Sequence, residues 1–197
     1  EHNVEAIGVL QAVGVMSGSN NGNFNPDAKI SRIEMAIVMA NLLNLEVNYF
    51  QGQNTFSDVP EWASGYVNAC AANGIVTGVG GGRFGTGNVT ATQAALMMLK
   101  ALGYFQYNSD FGSDWARATA LQASKIRLFD GINAQDNTQL DRNQVAQLAL
   151  NALKADMVDP DASGKLDITT PDGTTVSNGN VNYVVRTTDA AFANAID

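Results

Sequence analysis

The sequence predicts a mainly all-α fold built from three copies of one helix–loop–helix repeat. Three similar helix starts each follow an apolar residue: Ser-Arg-Ile-Glu at 31–34, Thr-Ala-Thr-Gln at 90–93 and Asp-Arg-Asn-Gln at 141–144. In each, the first residue can cap the helix and the Glu or Gln three residues later can reach back to the cap's own N–H. The helices that follow are apolar around much of their circumference, so the copies must pack together.

A second helix precedes the loop in each copy. In the second copy it lies within residues 56–78, where Asp58 is expected to cap it and Gly74 to end it. In the third copy it lies within residues 111–131, which keep an aspartate, Asp114, before a Trp-Ala pair. The first copy begins inside this element. We therefore expect six main helices.

The chain divides into three repeats and a tail of different character. In the tail, β-branched runs are broken by Pro-Asp-Gly and Asn-Gly turn signals, which predict one or two hairpins that either pack on the helices or are mobile, as in a linker or the start of a next domain. Short irregular strands are also expected at Phe56 and Phe111. The predicted boundaries are 1–50 for a first, N-terminally incomplete repeat, 51–106 for the second, 107–157 for the third and 158–197 for the tail.

The composition restricts the possible partners. Apolar residues make up 45% of the chain and charged residues 15%, which is typical of a globular protein, and the net charge is -8. Such an acidic chain repels nucleic acid and anionic membranes, so neither is an expected partner. No apolar stretch approaches the roughly 18 residues of a membrane-spanning helix. The single cysteine, Cys70, lies among alanines and is predicted to be a buried thiol.

An ordered set of short motifs resembles the S-layer homology (SLH) domain family. The chain has "NGNFNP" at 21–26, "ISRIE" at 30–34, "FSDV" at 56–59, "WASGYV" at 62–67 and "NGIVTG" at 73–78. No single motif is decisive, but the ordered set is specific. The resemblance covers about residues 4 to 155 and leaves out the tail.

The resemblance implies both a fold and a function. The fold is a pseudo-threefold bundle of three tandem repeats with grooves between adjacent repeats. The function is the anchoring of a secreted surface protein to the bacterial cell wall, with no catalysis. The implied ligand is a secondary cell wall polysaccharide, often bearing a pyruvylated amino sugar, and in some lineages modified peptidoglycan takes its place. Because three repeats can close on themselves, a monomer is expected.

Arg32 is the strongest candidate for ligand binding. Capping and packing do not explain it, because a cation at the N-terminal end of a helix opposes the helix macrodipole. With the free N–H groups of that turn, Arg32 could hold a carboxylate such as a pyruvate ketal, and the alternative is a pair with a nearby acid. The second copy has Ala91 at this position. The third has Arg142 beside Asp141, whose charge weakens an anion site, so one good groove is expected.

Aromatic and polar residues complete the candidate set. Trp62 and Trp115 offer flat apolar faces to a sugar ring, or else anchor their helices in the core. Asp58 and Asp114 could accept hydrogen bonds from sugar hydroxyls, although capping alone also explains them. Asn23 is a candidate because its loop resembles family loops that face the groove. Arg83 lies in a comparable loop. The predicted ligand-binding residues are Arg32, Trp62, Asp58, Asn23, Arg142, Trp115, Asp114 and Arg83.

Three other function classes stay open at this stage. A nucleophilic hydrolase is disfavoured because the only histidine is His2, but a wall-active glycoside hydrolase needs only two carboxylates close in space. Residues 159–170 begin like a calcium loop, yet Thr170 stands where a bidentate Glu is required, so no metal or cofactor is expected. The third class is a repeat module that self-assembles or binds another protein.

Overall fold

A computed structural model describes residues 3–18, 22–161, 166–169, 175–178 and 181–186. The helices are α1 (Val4–Ala12), α2 (Arg32–Leu42), the short α3 (Val47–Phe50), α4 (Glu61–Ala72), α5 (Ala91–Ala101), a 3₁₀ turn (Asn108–Phe111), α6 (Trp115–Lys125) and α7 (Arg142–Leu153). The predicted mainly α-helical class is confirmed. Within the described ranges, no helix is long and apolar enough to span a membrane.

Reciprocal capping boxes start α2, α5 and α7, as predicted. At α2, the Glu34 backbone N–H donates to the Ser31 hydroxyl at 3.1 Å, and the Ser31 N–H donates to the Glu34 carboxylate at 2.7 Å. The same pair of bonds joins Thr90 to Gln93 and Asp141 to Gln144. Each such cap stabilises its helix by about 1 kcal/mol.

The residues just before the three caps form a closed ring of backbone hydrogen bonds. The N–H of Ile30 donates to the carbonyl of Leu140 at 3.2 Å, that of Leu140 to Val89 at 3.0 Å, and that of Val89 back to Ile30 at 2.9 Å. All three side chains are fully buried. The ring therefore joins the three copies around one pseudo-threefold axis at the centre of the core.

Helix packing follows the same cyclic order. The capped helix of each copy packs against the first helix of the next: α2 on α4, α5 on α6, and α7 back on α1. In addition, α5 contacts both α2 and α7. Because the last repeat packs on the first, the apolar faces of all three repeats are covered within one chain. The largest fully buried side chains include Phe84, Leu10, Met35, Met39, Met98, Leu99, Leu128 and Leu148.

Cys70 is buried on α4, as predicted. Its thiol donates to the carbonyl of Ala36 on α2 at 3.3 Å. Burial raises the pKa of the Cys70 thiol to about 12, because the thiolate would lose its hydration. The thiol is therefore a packing group between α2 and α4.

Two details of the predicted fold are wrong. Phe56 and Phe111 do not form strands: Phe56 lies in irregular backbone against the ring of Phe84, with 5.5 Å between centroids, and Phe111 ends the 3₁₀ turn, stacked on Phe105 at 4.8 Å. Aromatic packing rather than a strand ladder holds both residues. Asp58 does not cap α4, which begins at Glu61 without a side-chain cap.

The tail is β-rich, as predicted, and docks on the helical body. Strand β1 (Val158–Asp161) pairs antiparallel with β4 (Asn182–Val185), and β2 (Leu166–Thr169) pairs with β3 (Thr175–Asn178). The predicted turns between these strands lie outside the described residues. The N–H of Val158 donates to the carbonyl of Leu102 at 2.8 Å. Gly103 has φ +104, and a Cβ there would lie 2.0 Å from the Val158 carbonyl oxygen, so only glycine fits this contact.

Candidate functional site

A groove of about 530 Å³ lies where parts of all three repeats meet. Arg32 enters it from the start of α2, residues 75–79 follow α4 along one side, and one face of α5 forms the floor. Trp115 closes the far side from the start of α6. Among the described residues that line it, Arg32 and Lys100 are cations and none is a carboxylate. We call this cavity the Arg32 groove.

The Arg32 guanidinium lies on an aromatic support and is incompletely bonded. Its Cζ lies 4.8 Å from the centroid of the Phe84 ring, and its Nη2 donates to the carbonyl of Thr77 at 3.1 Å. Its Nε is buried and, among the described atoms, has no hydrogen-bond partner. Burial lowers the pKa of Arg32, opposed by the nearby charge of Asp58. The alternative of a direct ion pair is not what the geometry shows, because no described carboxylate lies within 4.0 Å of Arg32.

The start of α2 offers fewer free N–H groups than expected. The N–H of Arg32 donates to the carbonyl of Gly87 at 2.9 Å, and that of Glu34 donates to the Ser31 cap. The first bond belongs to the pairing between neighbouring repeats, which recurs as Arg142 to Ala28 in the third copy. Among the first three N–H groups of α2, only that of Ile33 has no described acceptor, so the guanidinium is the main candidate donor for an anion at this end.

Asp58 fixes the loop that carries Phe84. Its two carboxylate oxygens accept the N–H groups of Phe84 at 2.7 Å and Gly85 at 2.9 Å. These bonds, the one from Phe84 first, lower the pKa of Asp58 against the opposing effect of burial. Arg83 places its Nε 3.7 Å from the same carboxylate and leaves most of its side chain in solvent. Asp58 thus positions the ring beneath Arg32 from behind the groove.

Arg142 occupies the matching position in the third repeat but is bonded differently. Its Cζ lies 4.7 Å from the Phe24 centroid, as Arg32 lies over Phe84. However, its Nε donates to the Phe24 carbonyl at 2.8 Å and its Nη2 to the Ser17 carbonyl at 2.5 Å. The neighbouring Asp141 caps α7 through the N–H of Gln144 at 2.8 Å. Arg142 therefore ties two loop segments to α7.

The matching position in the second repeat has no cation. Ala91 is buried beside a smaller cavity of about 250 Å³. Asp130 and Asp136 line this cavity, and its one arginine, Arg127, pairs with Asp130 at 2.5 Å. This surface therefore disfavours an anion.

The remaining candidates lie in different places. Trp115 lines the Arg32 groove and is 46% exposed, whereas Trp62 is 63% exposed and does not line it. Both rings are too exposed to anchor a core. Asp114 caps α6 by accepting from the N–H groups of Ala116 and Arg117, both at 3.1 Å. Asn23 is exposed in the loop before Phe24, on the Arg142 side of the molecule.

Sequence reasoning missed one charged residue of the groove. Lys100, on α5, lies over the ring of Phe111 with 5.9 Å between its Nζ and the centroid. A lone cation in the otherwise apolar run of α5 was the signal for it.

The first carboxylate of the candidate calcium loop is already paired. The guanidinium of Arg186 donates to both oxygens of Asp159, at 2.9 and 2.6 Å. Part of that loop, 162–165 with Thr170, lies outside the described residues.

Comparison with known proteins shows what this chain is similar to. Residues 2–36 and 55–90 match the model of the S-layer homology domain. The chain is 29% identical over 155 residues to a middle cell wall protein of Brevibacillus brevis, and 29% identical over 155 residues to a surface layer protein of Brevibacillus choshinensis. Each of these matches covers 76% of this chain and 14% of the relative. The chain thus spans only a small part of the relatives it matches.

Some relatives carry a catalytic name. An exoglucanase, XynX, of Acetivibrio thermocellus is 23% identical over 141 residues, which cover 64% of this chain and 13% of the relative. The similarities together indicate a bacterial cell-surface location and support, at a coarse level, a role in cell-wall anchoring. The resemblance found in the sequence is confirmed for two segments of the chain, because residues 2–36 and 55–90 match the S-layer homology domain model.

Proposed function

We propose that this module anchors its protein by binding a secondary cell wall polysaccharide in the Arg32 groove. One observation carries the proposal. In a chain of net charge -8, this groove presents two cations and, among its described lining residues, no carboxylate. Local positive charge in an acidic protein selects an anionic ligand over the rest of the surface.

Arg32 supplies the anion contact in this proposal. Its guanidinium lines the groove and makes one described side-chain hydrogen bond, from Nη2 to the Thr77 carbonyl, so that its other Nη–H groups are available to a ligand. The Phe84 ring fixes the guanidinium plane from one side. A carboxylate on a saccharide, such as that of a pyruvate ketal, matches this planar donor in charge and geometry.

Trp115 supplies the sugar contact. Its indole lines the groove and is half exposed. The C–H face of a pyranose packs on such a ring and removes apolar area from water. A cation for the acid group and a ring for the sugar face together suit a saccharide that bears an acid.

The test compares retention on purified bacterial walls for the wild type and Arg32→Ala, before and after the wall polysaccharide is extracted. We expect wild-type retention to disappear with either change, while Arg142→Ala, the matched control, is retained. Retention that survives both changes would point to peptidoglycan or another groove. A wild type that never binds would contradict the proposal and favour a self-assembly or protein-binding role.

A further inference from the structure

The Arg32 groove continues beyond the site just described. A second cavity of about 670 Å³ shares with it residues 75–77, Lys100 and Phe111, and extends from there to Tyr104 and Arg186, where the tail docks. The two cavities are therefore adjacent, and we call the pair, from the start of α2 to the tail, the channel. Its described lining contains no carboxylate, and of its cations Arg186 is paired with Asp159, which leaves Arg32 and Lys100.

Lys100 lies at the junction of the two cavities. No described carboxylate lies within 4.0 Å of its ammonium group, which rests over the Phe111 ring. Burial lowers the pKa of Lys100, and no charged partner offsets this effect. A half-buried cation without a counterion is costly, and its place in the last turn of α5 and over the Phe111 ring offsets only part of that cost.

The other two repeats place asparagine at this position, ten residues after the cap. The amide of Asn41 donates to the carbonyl of Val15 at 3.3 Å. The amide of Asn151 donates to the carbonyls of Leu128 and Asp130, at 2.9 and 2.8 Å. In two copies the residue therefore ties its helix to the loop. In the second copy Lys100 forms no such bond and brings a positive charge instead.

We propose that Lys100 forms a second anion-binding subsite, so that the channel takes a stretch of polyanionic polysaccharide with at least two acid groups. One acid group contacts Arg32 and the next contacts Lys100, with the saccharide continuing toward the tail. This inference rests on the proposed function and adds a minimum length and charge for the ligand. The acid groups are carboxylates or phosphates, which accept hydrogen bonds from both cations.

The test measures binding of soluble polysaccharide released from purified walls and separated into short and long fragments. Lys100→Asn is the informative variant, because asparagine already fits this position in two repeats and should leave the melting temperature at or above that of the wild type. We expect it to weaken the binding of long fragments about five- to tenfold, as for loss of one charge-assisted contact. Binding of fragments with one acid group should be nearly unchanged. Lys154→Asn, with the same charge change at the end of α7, is the matched control.

The outcomes separate the two proposals. If Arg32→Ala abolishes binding while Lys100→Asn binds long fragments like the wild type, the second subsite is wrong and the proposed function stands. If the wild type binds neither fragment, both are wrong. Carboxyl reduction of the polysaccharide identifies the acid group: loss of the Lys100 effect assigns it to carboxylates, and persistence assigns it to phosphates. Either of these last results supports the subsite.

Discussion

Arg32 and Arg142 occupy the same position in two repeats but form different hydrogen bonds. Both lie one residue after a helix cap, and both cover a phenylalanine ring at nearly the same distance. Arg142 donates from Nε and Nη2 to two backbone carbonyls, whereas Arg32 donates from Nη2 to one and keeps a buried Nε without a described partner. The comparison teaches that residue type and position do not decide whether an arginine keeps donors for a ligand. That depends on how many of its donors already bond within the fold.

The largest expected contrast is in affinity. Arg32→Ala should weaken binding of soluble wall polysaccharide by about 30-fold or more, because a charged contact in a partly buried site is lost. Arg142→Ala should change the affinity by less than about threefold. Titration calorimetry at fixed ionic strength measures both. Equal losses in the two variants would show that both grooves bind.

For stability, we expect Arg142→Ala to have a larger effect than Arg32→Ala. Arg142→Ala leaves two loop carbonyls without their donors, and we expect it to lower the free energy of unfolding by about 1–2 kcal/mol. Arg32→Ala removes one such bond together with an unsatisfied donor, so the loss should be below about 1 kcal/mol. Urea denaturation followed by circular dichroism gives both values. A larger loss for Arg32→Ala would contradict the assigned roles.

The two tryptophans sharpen the comparison further. Trp115 lines the Arg32 groove and Trp62 does not. We expect Trp115→Ala to weaken polysaccharide binding about five- to tenfold, and Trp62→Ala to stay within about twofold, because only one ring can pack on the bound sugar. The same titrations decide this. The reverse order would move the ligand away from Arg32.

The smallest expected effect concerns the support beneath Arg32. The folded-state pKa of Asp58 is lowered, so its stabilising effect is present above the unfolded pKa of about 3.9 and is lost as pH falls through the folded value. Asp58→Asn should therefore melt below the wild type at pH 7, and the gap should narrow in acid below about pH 4. Glu46→Gln, an exposed control with the same charge change, should show no such gap. A gap independent of pH would contradict the role of the Asp58 carboxylate.

Local patterns were enough to predict much of the fold. A capping box needs only a short polar residue and a Glu or Gln three positions on, so all three starts could be found from the sequence. The closed packing of the repeats followed from helices too apolar to lie on a surface. Arg32 itself could be singled out because it opposes the helix dipole without an obvious local reason.

Contacts between distant residues explain what the sequence did not show. Asp58 was interpreted as a cap because Pro60 and Glu61 follow it, yet its partners are the N–H groups of Phe84 and Gly85, about 26 residues away. The carbonyls that occupy Arg142 lie 118 and 125 residues away. Lys100 could be recognised only from the structure, which shows that Asn41 and Asn151, at the same position in the other two repeats, donate to backbone carbonyls.

The most direct test of the account is an NMR titration that follows the arginine Nε–H signals of ¹⁵N-labelled protein as wall polysaccharide is added. An acid group bound by the Arg32 guanidinium changes the electronic environment of the adjacent Nε–H, so this signal should shift strongly and saturate with the binding isotherm. The Arg142 Nε–H already donates to Phe24 and should stay in place. A saturating shift at Arg142 with none at Arg32 would contradict the claim that the Arg32 groove is the wall-binding site.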